Sequence, residues 1–371
     1  MKKIAIFHPS NELYGADRIM VLAVKALTEY EPTIYLLKHG PLTDLIKLEL
    51  PHAEVKIFPD MPIISRALFS PKGIADTIRK YIKFKRFIKK EHQLTAFDKF
   101  YVNTLSCSIL LPALKPLNAT IITHVHEILE NPKIAAKLTA KIAFKYSHTV
   151  ISVSNAVQQN LHRLCKHRKA ESSVVHNGIP SIKTSLQKRD NNLTFYLFGR
   201  IKPEKGQWYL IEALKLIPKN ELKATKFYLV GGTLEGKEHL KSDLEHQIRH
   251  NGLDPFVTIK GFTTDISIDM SSADVCLVPS LMKDPFPTTV LEAMSAGKTV
   301  ISTDTGGAKE AIKHNETGLL IPANQPQVFA TAIRKLINDR DLISKMGLNA
   351  KQSFNTNFTI THFNARWKAA I

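Results

Sequence analysis

The stretch ADVCLVPSLMKDPFPTTVLEAMSAGKTVISTDTGG, residues 273–307, decides the fold class of this chain. ADVCLVPS is a short apolar run that ends in Pro and Ser, as a buried strand does where it meets a loop. Pro285 and Pro287 then keep the chain extended or turned, and VLEAMSAG reads as a helix that opens near Thr288. A second apolar run, KTVISTDT, leads to Gly306 and Gly307. Strand, helix and strand in this order make a crossover unit of a parallel sheet.

The same alternation extends outward in both directions. Upstream lie LTFYLFGRI (193–201), KFYLVGG (226–232) and FVTIKGF (256–262). Before them, a polar stretch, SIKTSLQKRDNN (181–192), reads as a linker. The first half repeats the pattern, with strands expected at 3–8, 33–38, 54–59, 98–103, 119–126, 148–153 and 172–176, separated by segments long enough for helices. A chain of 371 residues exceeds one ordinary core. The expectation is therefore an α/β protein of two Rossmann-like, doubly wound parallel sheets facing a cleft. The first domain is read as 1–188 and the second as 189–355, with a terminal helix over 356–371.

Composition narrows the function. Hydrophobic residues make up 44% of the chain and charged residues 23%, values of a folded globular protein. MKKIAIFHPS reads as a first strand and not as a signal peptide, and the apolar runs fall short of a membrane span, so a cytoplasmic location is expected. Cys107, Cys165 and Cys276 lack both CxxC spacing and an even disulfide set, so neither a disulfide framework nor a metal site is expected. The net charge of +18 is uneven: residues 1–188 carry 28 Lys and Arg against 14 Asp and Glu. Such an excess favours an anionic partner. Nucleic acid is the weaker choice, because RNP-like aromatics, zinc spacing and a capped helix-turn-helix are missing.

Ligands of doubly wound sheets bind outside the carboxyl ends of the strands. In FGRIKPEKGQWYLIEAL (198–214), Gly199, Arg200 and Lys205 follow a strand and Gly206 stands near a helix start. Two cations and a helix N-terminus suit a diphosphate. In the next candidate loop, Asp284 precedes the helix and Glu292 lies on it, and acceptor-only carboxylates suit sugar hydroxyls. Gly306 and Gly307 would let backbone approach a ligand closely. Gly231 with Gly232, and HNG at 176–178, are weaker signals of the same kind, and Gly15 is their counterpart between the first strand and first helix. Neither GxGxxG nor GxxxxGK[ST] is present.

Taken in order, these residues resemble family 4 glycosyltransferases of the GT-B fold. The resemblance runs through G-A-D-R (15–18), H-V-H-E (124–127), V-S-N-A-V (153–157), H-N-G-I (176–179), G-R-x(4)-K-G (199–206), V-G-G (230–232), the 273–297 stretch, G-G-x-x-E (306–310) and T-G-L-L-I-P (317–322). It implies a retaining sugar transfer from a UDP- or GDP-sugar to a glycan or lipid-linked hydroxyl, without an obligatory metal or other cofactor. Arg200 and Lys205 would hold the donor diphosphate, with Gly199 and Gly232 beside them. Glu292 would meet the nucleotide ribose, and Asp284 the transferred sugar. Asp284 departs from the family's usual Glu and is one methylene shorter. The backbone of Phe286, Pro287, Thr288 and Thr289 would approach the sugar and β-phosphate, and Gly15 the donor phosphate. His126, with His124 as the alternative, would stand beside the anomeric centre. A sugar-nucleotide epimerase of the same fold and a catalytically silent donor-binding member are the alternatives.

One further segment bears on the acceptor. PKGIADTIRKYIKFKRFIKK (71–90) carries eight Lys or Arg and one acid, and reads as a basic amphipathic helix. Ile74, Ile78, Tyr81, Ile82, Phe84 and Ile88 are expected on its apolar face, with Phe87 off it. Residues 72–90 are thus expected to meet an anionic membrane surface.

Overall fold

The computed structural model describes residues 1–65, 68, 70–184, 192–263 and 265–371. Most of the expected linker, and with it the expected boundary at 188/189, lies outside the described residues. The chain forms two compact units, Met1–Gly178 together with Ile360–Ile371, and Ile179–Thr359.

The first unit holds a seven-stranded parallel sheet made of β1 (Lys2–Phe7), β2 (Tyr30–Leu36), β3 (Glu54–Ile57), β4 (Lys99–Asn103), β5 (Thr120–Val125), β6 (Thr149–Ser152) and β7 (Glu171–Val174). Its order is β3-β2-β1-β4-β5-β6-β7, so the winding reverses between β1 and β4. The second unit holds β8 (Leu193–Phe198), β9 (Thr225–Val230), β10 (Val257–Lys260), β11 (Val275–Val278), β12 (Thr299–Thr303) and β13 (Gly318–Ile321). The order β10-β9-β8-β11-β12-β13 reverses between β8 and β11. These are two doubly wound sheets of the GT-B kind, each with a switch point where a ligand crevice forms.

Every strand expected from the sequence is present, with ends shifted by a few residues. β13 was not expected. It is only four residues long and starts at Gly318, whose missing Cβ lets it lie against Val300: a Cβ there would fall 2.6 Å from the Val300 carbonyl oxygen.

Aromatic layers fill both interiors. In the second unit Phe195 and Phe227 of adjacent strands stack at 4.6 Å, surrounded by Leu210, Ile301, Phe329 and Leu336. In the first unit Phe7 stacks on Tyr35 at 5.2 Å and meets the edge of Phe84 at 5.6 Å.

Phe84 belongs to the basic helix, which runs Pro71–Thr95. Ser70 caps it by accepting from Gly73 N–H at 3.1 Å, and Pro71 fills a first-turn position where no donor is needed. The expected apolar face needs correction. Phe84, Phe87 and Ile88 form the inward stripe, with Phe87 stacked on Phe58 at 4.3 Å. Ile74, Ile78 and Ile82 are exposed at 46%, 55% and 46%. A helix of 3.6 residues per turn separates the two stripes: 84, 87 and 88 face one way, whereas the i+4 row 74, 78, 82 continues into Arg86 and Lys90.

The terminal helix Ile360–Ala370 is part of the first unit. Trp367 is fully buried, with ring centroids 5.4 Å from Tyr101 and 4.7 Å from His124. Truncating it removes a large aromatic side chain from a packed core. Trp367→Ala is expected to lower the unfolding free energy by about 3–5 kcal/mol, measured by urea denaturation followed by circular dichroism.

Candidate active site

The carboxyl ends of β8, β11 and β12, adjacent strands at the switch point of the second unit, carry three loops tied to one another through backbone. After β8, Gly199 adopts φ +150° and donates its N–H to Val230, while Ile201 N–H reaches the carbonyl of Gly232. These bonds aim residues 200–206 over the sheet edge. Gly206 sits at φ +85°, with its Cα so close to the next loop that a Cβ would lie 2.1 Å from the Pro279 carbonyl oxygen. Leu281 N–H donates to Glu204 carbonyl at 2.9 Å, and Thr303 hydroxyl to Ser280 carbonyl at 2.7 Å.

The third loop closes on the second. Gly306, at φ +65°, and Gly307 lie against Asp284 and Pro285, and a Cβ on either would fall 2.0 Å from a carbonyl oxygen. Gly307 N–H also donates to the Asp284 carbonyl at 2.9 Å. The close approach expected of this glycine pair is therefore made to the acid-bearing loop.

Arg200, Lys205, Asp284 and Glu292 all belong to this unit, and the structure joins two of them directly: Lys205 Nζ lies 2.9 Å from Asp284 Oδ2. Lys205 is thus held by the carboxylate that the sequence assigned to a sugar. Lys202, which the sequence reading passed over, completes a cationic cluster. Burial lowers the pKa of its ammonium, and the neighbouring Lys205 and Arg200 lower it further, against the pull of Glu204 and Asp284. The signal was the R-x-K spacing ahead of Lys205.

The helix Thr288–Ser295 begins directly after Pro287, so the N–H groups of Thr288 and Thr289 open its first turn. Phe286 is 4% exposed and its ring packs on Phe358 at 5.7 Å. Glu292 is partly buried on this helix. Cations, a helix N-terminus and two carboxylates on one sheet edge can hold a polyanion and a polyol.

Gly15 and His126 lie in the first unit, Gly15 after β1 at its switch point and His126 after β5, the strand next to β4. Gly15 opens the helix Gly15–Lys25, whose Asp17 carboxylate accepts from Tyr14 N–H at 2.7 Å. His126 stands one residue beyond β5, partly exposed, with Nε2 3.0 Å from Asn103 Oδ1. Burial, then the nearby His124 and His8, hold its pKa well below the usual value. His124 is fully buried inside β5, and burial pushes it down to about 3, so it stays neutral within the core. Of the two, His126 alone reaches the edge.

Glu127 ends the H-V-H-E stretch. It accepts from Leu105 N–H at 2.9 Å and from His126 N–H at 3.0 Å. Burial raises it to about 7, and those N–H groups oppose the rise. Among the described residues, there is no group of His, Cys, Asp and Glu that could hold a metal ion.

Residues 179–353 match the model for glycosyl transferases group 1, and residues 42–181 match that for glycosyltransferase family 4. The matches support a glycosyltransferase of the family 4 type. A Campylobacter jejuni enzyme named GalNAc-α-(1→4)-GalNAc-α-(1→3)-diNAcBac-PP-undecaprenol α-1,4-N-acetyl-D-galactosaminyltransferase is 24% identical over 375 residues, covering 100% of this chain and 98% of its own. The GDP-mannose-dependent α-(1-6)-phosphatidylinositol monomannoside mannosyltransferase of Mycobacterium tuberculosis is 29% identical over 186 residues, 47% of this chain and 46% of its own. Among solved structures, Anabaena Alr3699/HepE in complex with UDP and glucose superposes with a TM-score of 0.84 at 24% identity, covering 100% of this chain and 99% of that one.

Two outcomes follow for the site. Gly306→Ala and Gly307→Ala are each expected to cost about 2 kcal/mol or more in denaturant unfolding, since a methyl group must displace backbone. Glu127 is raised from the ordinary 4.5 to about 7, so its ionisation penalises the fold only as pH rises through that window. The stability of wild type relative to Glu127→Gln should therefore be constant below pH 4.5, fall between 4.5 and 7 by on the order of 3 kcal/mol, and level off above.

Proposed function

We propose that the protein is a retaining, hexosyl-type glycosyltransferase that moves a sugar from a UDP- or GDP-sugar to a hydroxyl of a glycan or lipid-linked acceptor, in the making of cell-surface polysaccharide or glycolipid. The observation that carries this reading is the second unit's switch point, where Arg200, Lys202, Lys205, a helix N-terminus, Asp284 and Glu292 share one sheet edge. The named substrates of the Campylobacter and Mycobacterium relatives, and the UDP in the Anabaena structure, support the donor and acceptor classes.

In this reaction the bond between the anomeric carbon and the diphosphate oxygen breaks, and a bond from the acceptor oxygen to that carbon forms on the same face. The hydroxyl proton passes to the departing phosphate oxygen. The leaving group gains charge as it departs, so fixed cations stabilise the transition state more than the ground state. Arg200 offers a planar fork and Lys205 a point charge. Donor binding must then share Lys205 between Asp284 and the diphosphate, which frees Asp284 for a sugar hydroxyl. Glu292 takes the ribose, the backbone of Phe286, Pro287, Thr288 and Thr289 the sugar and β-phosphate, with Gly199 and Gly232 lining the diphosphate. On the first unit, Gly15 is assigned to the donor phosphate and His126 to the sugar. No obligatory metal is proposed.

The acceptor side is proposed to meet the anionic cytoplasmic face of a membrane. No helix among the described residues is long and apolar enough to cross one. The exposed row Ile74, Ile78 and Ile82 continues into Arg86 and Lys90, and Lys85 and Lys89 flank it. In the same unit, the helix Lys133–Tyr146 exposes Ile134 and Leu138 at 84% and 58% beside Lys133, Lys137, Lys141 and Lys145. Apolar side chains with basic flanks suit an anionic interface, where each basic residue contributes about 1 kcal/mol.

Calorimetry with a panel of UDP- and GDP-sugars is expected to find one binding nucleotide class, weakened at least tenfold in both Arg200→Ala and Glu292→Ala. Binding unchanged in both folded variants would overturn the site. Anionic vesicles are expected to retain the protein at moderate salt, and a variant with Lys85, Arg86, Lys89 and Lys90 changed to Gln should lose retention. Equal retention of both would remove the membrane from the reading.

A further inference from the structure

The first unit buries a chain of polar side chains that ends on His126. His8 Nε2 lies 2.8 Å from Asp17 Oδ1, and Asn103 Nδ2 lies 2.9 Å from His8 Nδ1. Asn103 Oδ1 lies 2.9 Å from the Tyr101 hydroxyl and 3.0 Å from His126 Nε2. His8, Asp17 and Asn103 are all but sealed from solvent, at 0%, 2% and 0% exposure. Polar groups buried this deeply must match donor to acceptor at every link.

We propose that Asp17, His8 and Asn103 are positioning residues that fix the proton of His126 on Nε2 and so present its Nδ1 as a bare acceptor at the carboxyl edge of the first sheet. A carboxylate oxygen accepts, so a His8 that carries one proton holds it on Nε2, toward Asp17 Oδ1. His8 Nδ1 is then bare and needs a donor, which the amide nitrogen of Asn103 supplies at 2.9 Å. That turns the Asn103 oxygen toward His126. The oxygen accepts, and His126 Nε2 carries the proton.

Two arrangements compete. A proton given by His124 Nδ1, 3.2 Å away, to a bare His126 Nε2 would leave that nitrogen and Asn103 Oδ1 facing each other as two acceptors at 3.0 Å. A protonated His8 would donate from both nitrogens, turn Asn103 round and move the His126 proton to Nδ1. The outcome matters for recognition. A bare Nδ1 accepts from a hydroxyl, whereas a protonated one donates to a phosphate or carbonyl oxygen. This consequence rests on the proposed reading that His126 meets the donor sugar; the relay itself does not.

Long-range proton–nitrogen NMR of the full chain, labelled with nitrogen-15 histidine, reads the tautomer without any ligand. The His126 signals are assigned by their loss in His126→Gln. The expected result is an Nε2–H tautomer in wild type, and a shift toward Nδ1–H in Asp17→Asn, whose amide can donate to His8 and reverse every link. An Nδ1–H tautomer in wild type would overturn the relay, even if the variant does not fold. An unchanged Nε2–H tautomer in folded Asp17→Asn would overturn it as well. Titration with the nucleotide sugar that binds in calorimetry should then move the Nδ1 signal of wild type. An unmoved signal with the expected tautomer would overturn the placement of His126 on the sugar and leave the relay standing.

Discussion

Backbone packed directly on backbone holds the candidate site of the second unit. Gly306 and Gly307 leave no room for a methyl group above the carbonyls of Asp284 and Pro285, and Gly206 leaves none above Pro279. Loops packed this closely cannot shift independently, so the acid-bearing loop, the cationic loop and the start of the helix Thr288–Ser295 behave as one rigid rim. The glycines contribute by what they lack. Rigidity then gives fixed charges their value, because cations already in place need no reorganisation when a leaving group acquires charge.

The rim also explains why Lys205 and Asp284 pair. A cation cluster of Arg200, Lys202 and Lys205 on a half-buried edge repels itself, and the Asp284 carboxylate offsets part of that repulsion. The pair joins the cationic loop to the acid-bearing loop, with Lys205 Nζ 2.9 Å from Asp284 Oδ2.

The first unit carries a different kind of order. Its sheet edge is furnished with hydrogen-bonding groups in place of cations: buried His8, Asp17 and Asn103, and the partly exposed His126. In a low-dielectric interior such a network is stable only when every link is satisfied, and a satisfied network has few alternative proton arrangements. Trp367 and Tyr101 pack beside it, so the terminal helix also bears on the surroundings of the histidines. Basic charge and exposed isoleucines lie on other helices of the same unit.

The sequence by itself determined the fold class. Short apolar runs separated by helical segments admit little but parallel sheets, and the quoted glycine and charged residues follow those runs, where a strand gives way to a loop. It also determined which loops carry cations and acids. Tertiary structure decided what those residues touch. The Lys205–Asp284 pair joins positions far apart in the chain, the glycine pair meets the acid loop and not open space, and Lys202 enters the cluster only through the turn of residues 200–206. Helical periodicity placed apolar residues on helix Pro71–Thr95 but could not say which stripe faces the sheet, because Phe87 and Phe58 are brought together only by packing. The proton on His126 was likewise invisible in one dimension: it depends on a carboxylate that reaches it through two intervening side chains.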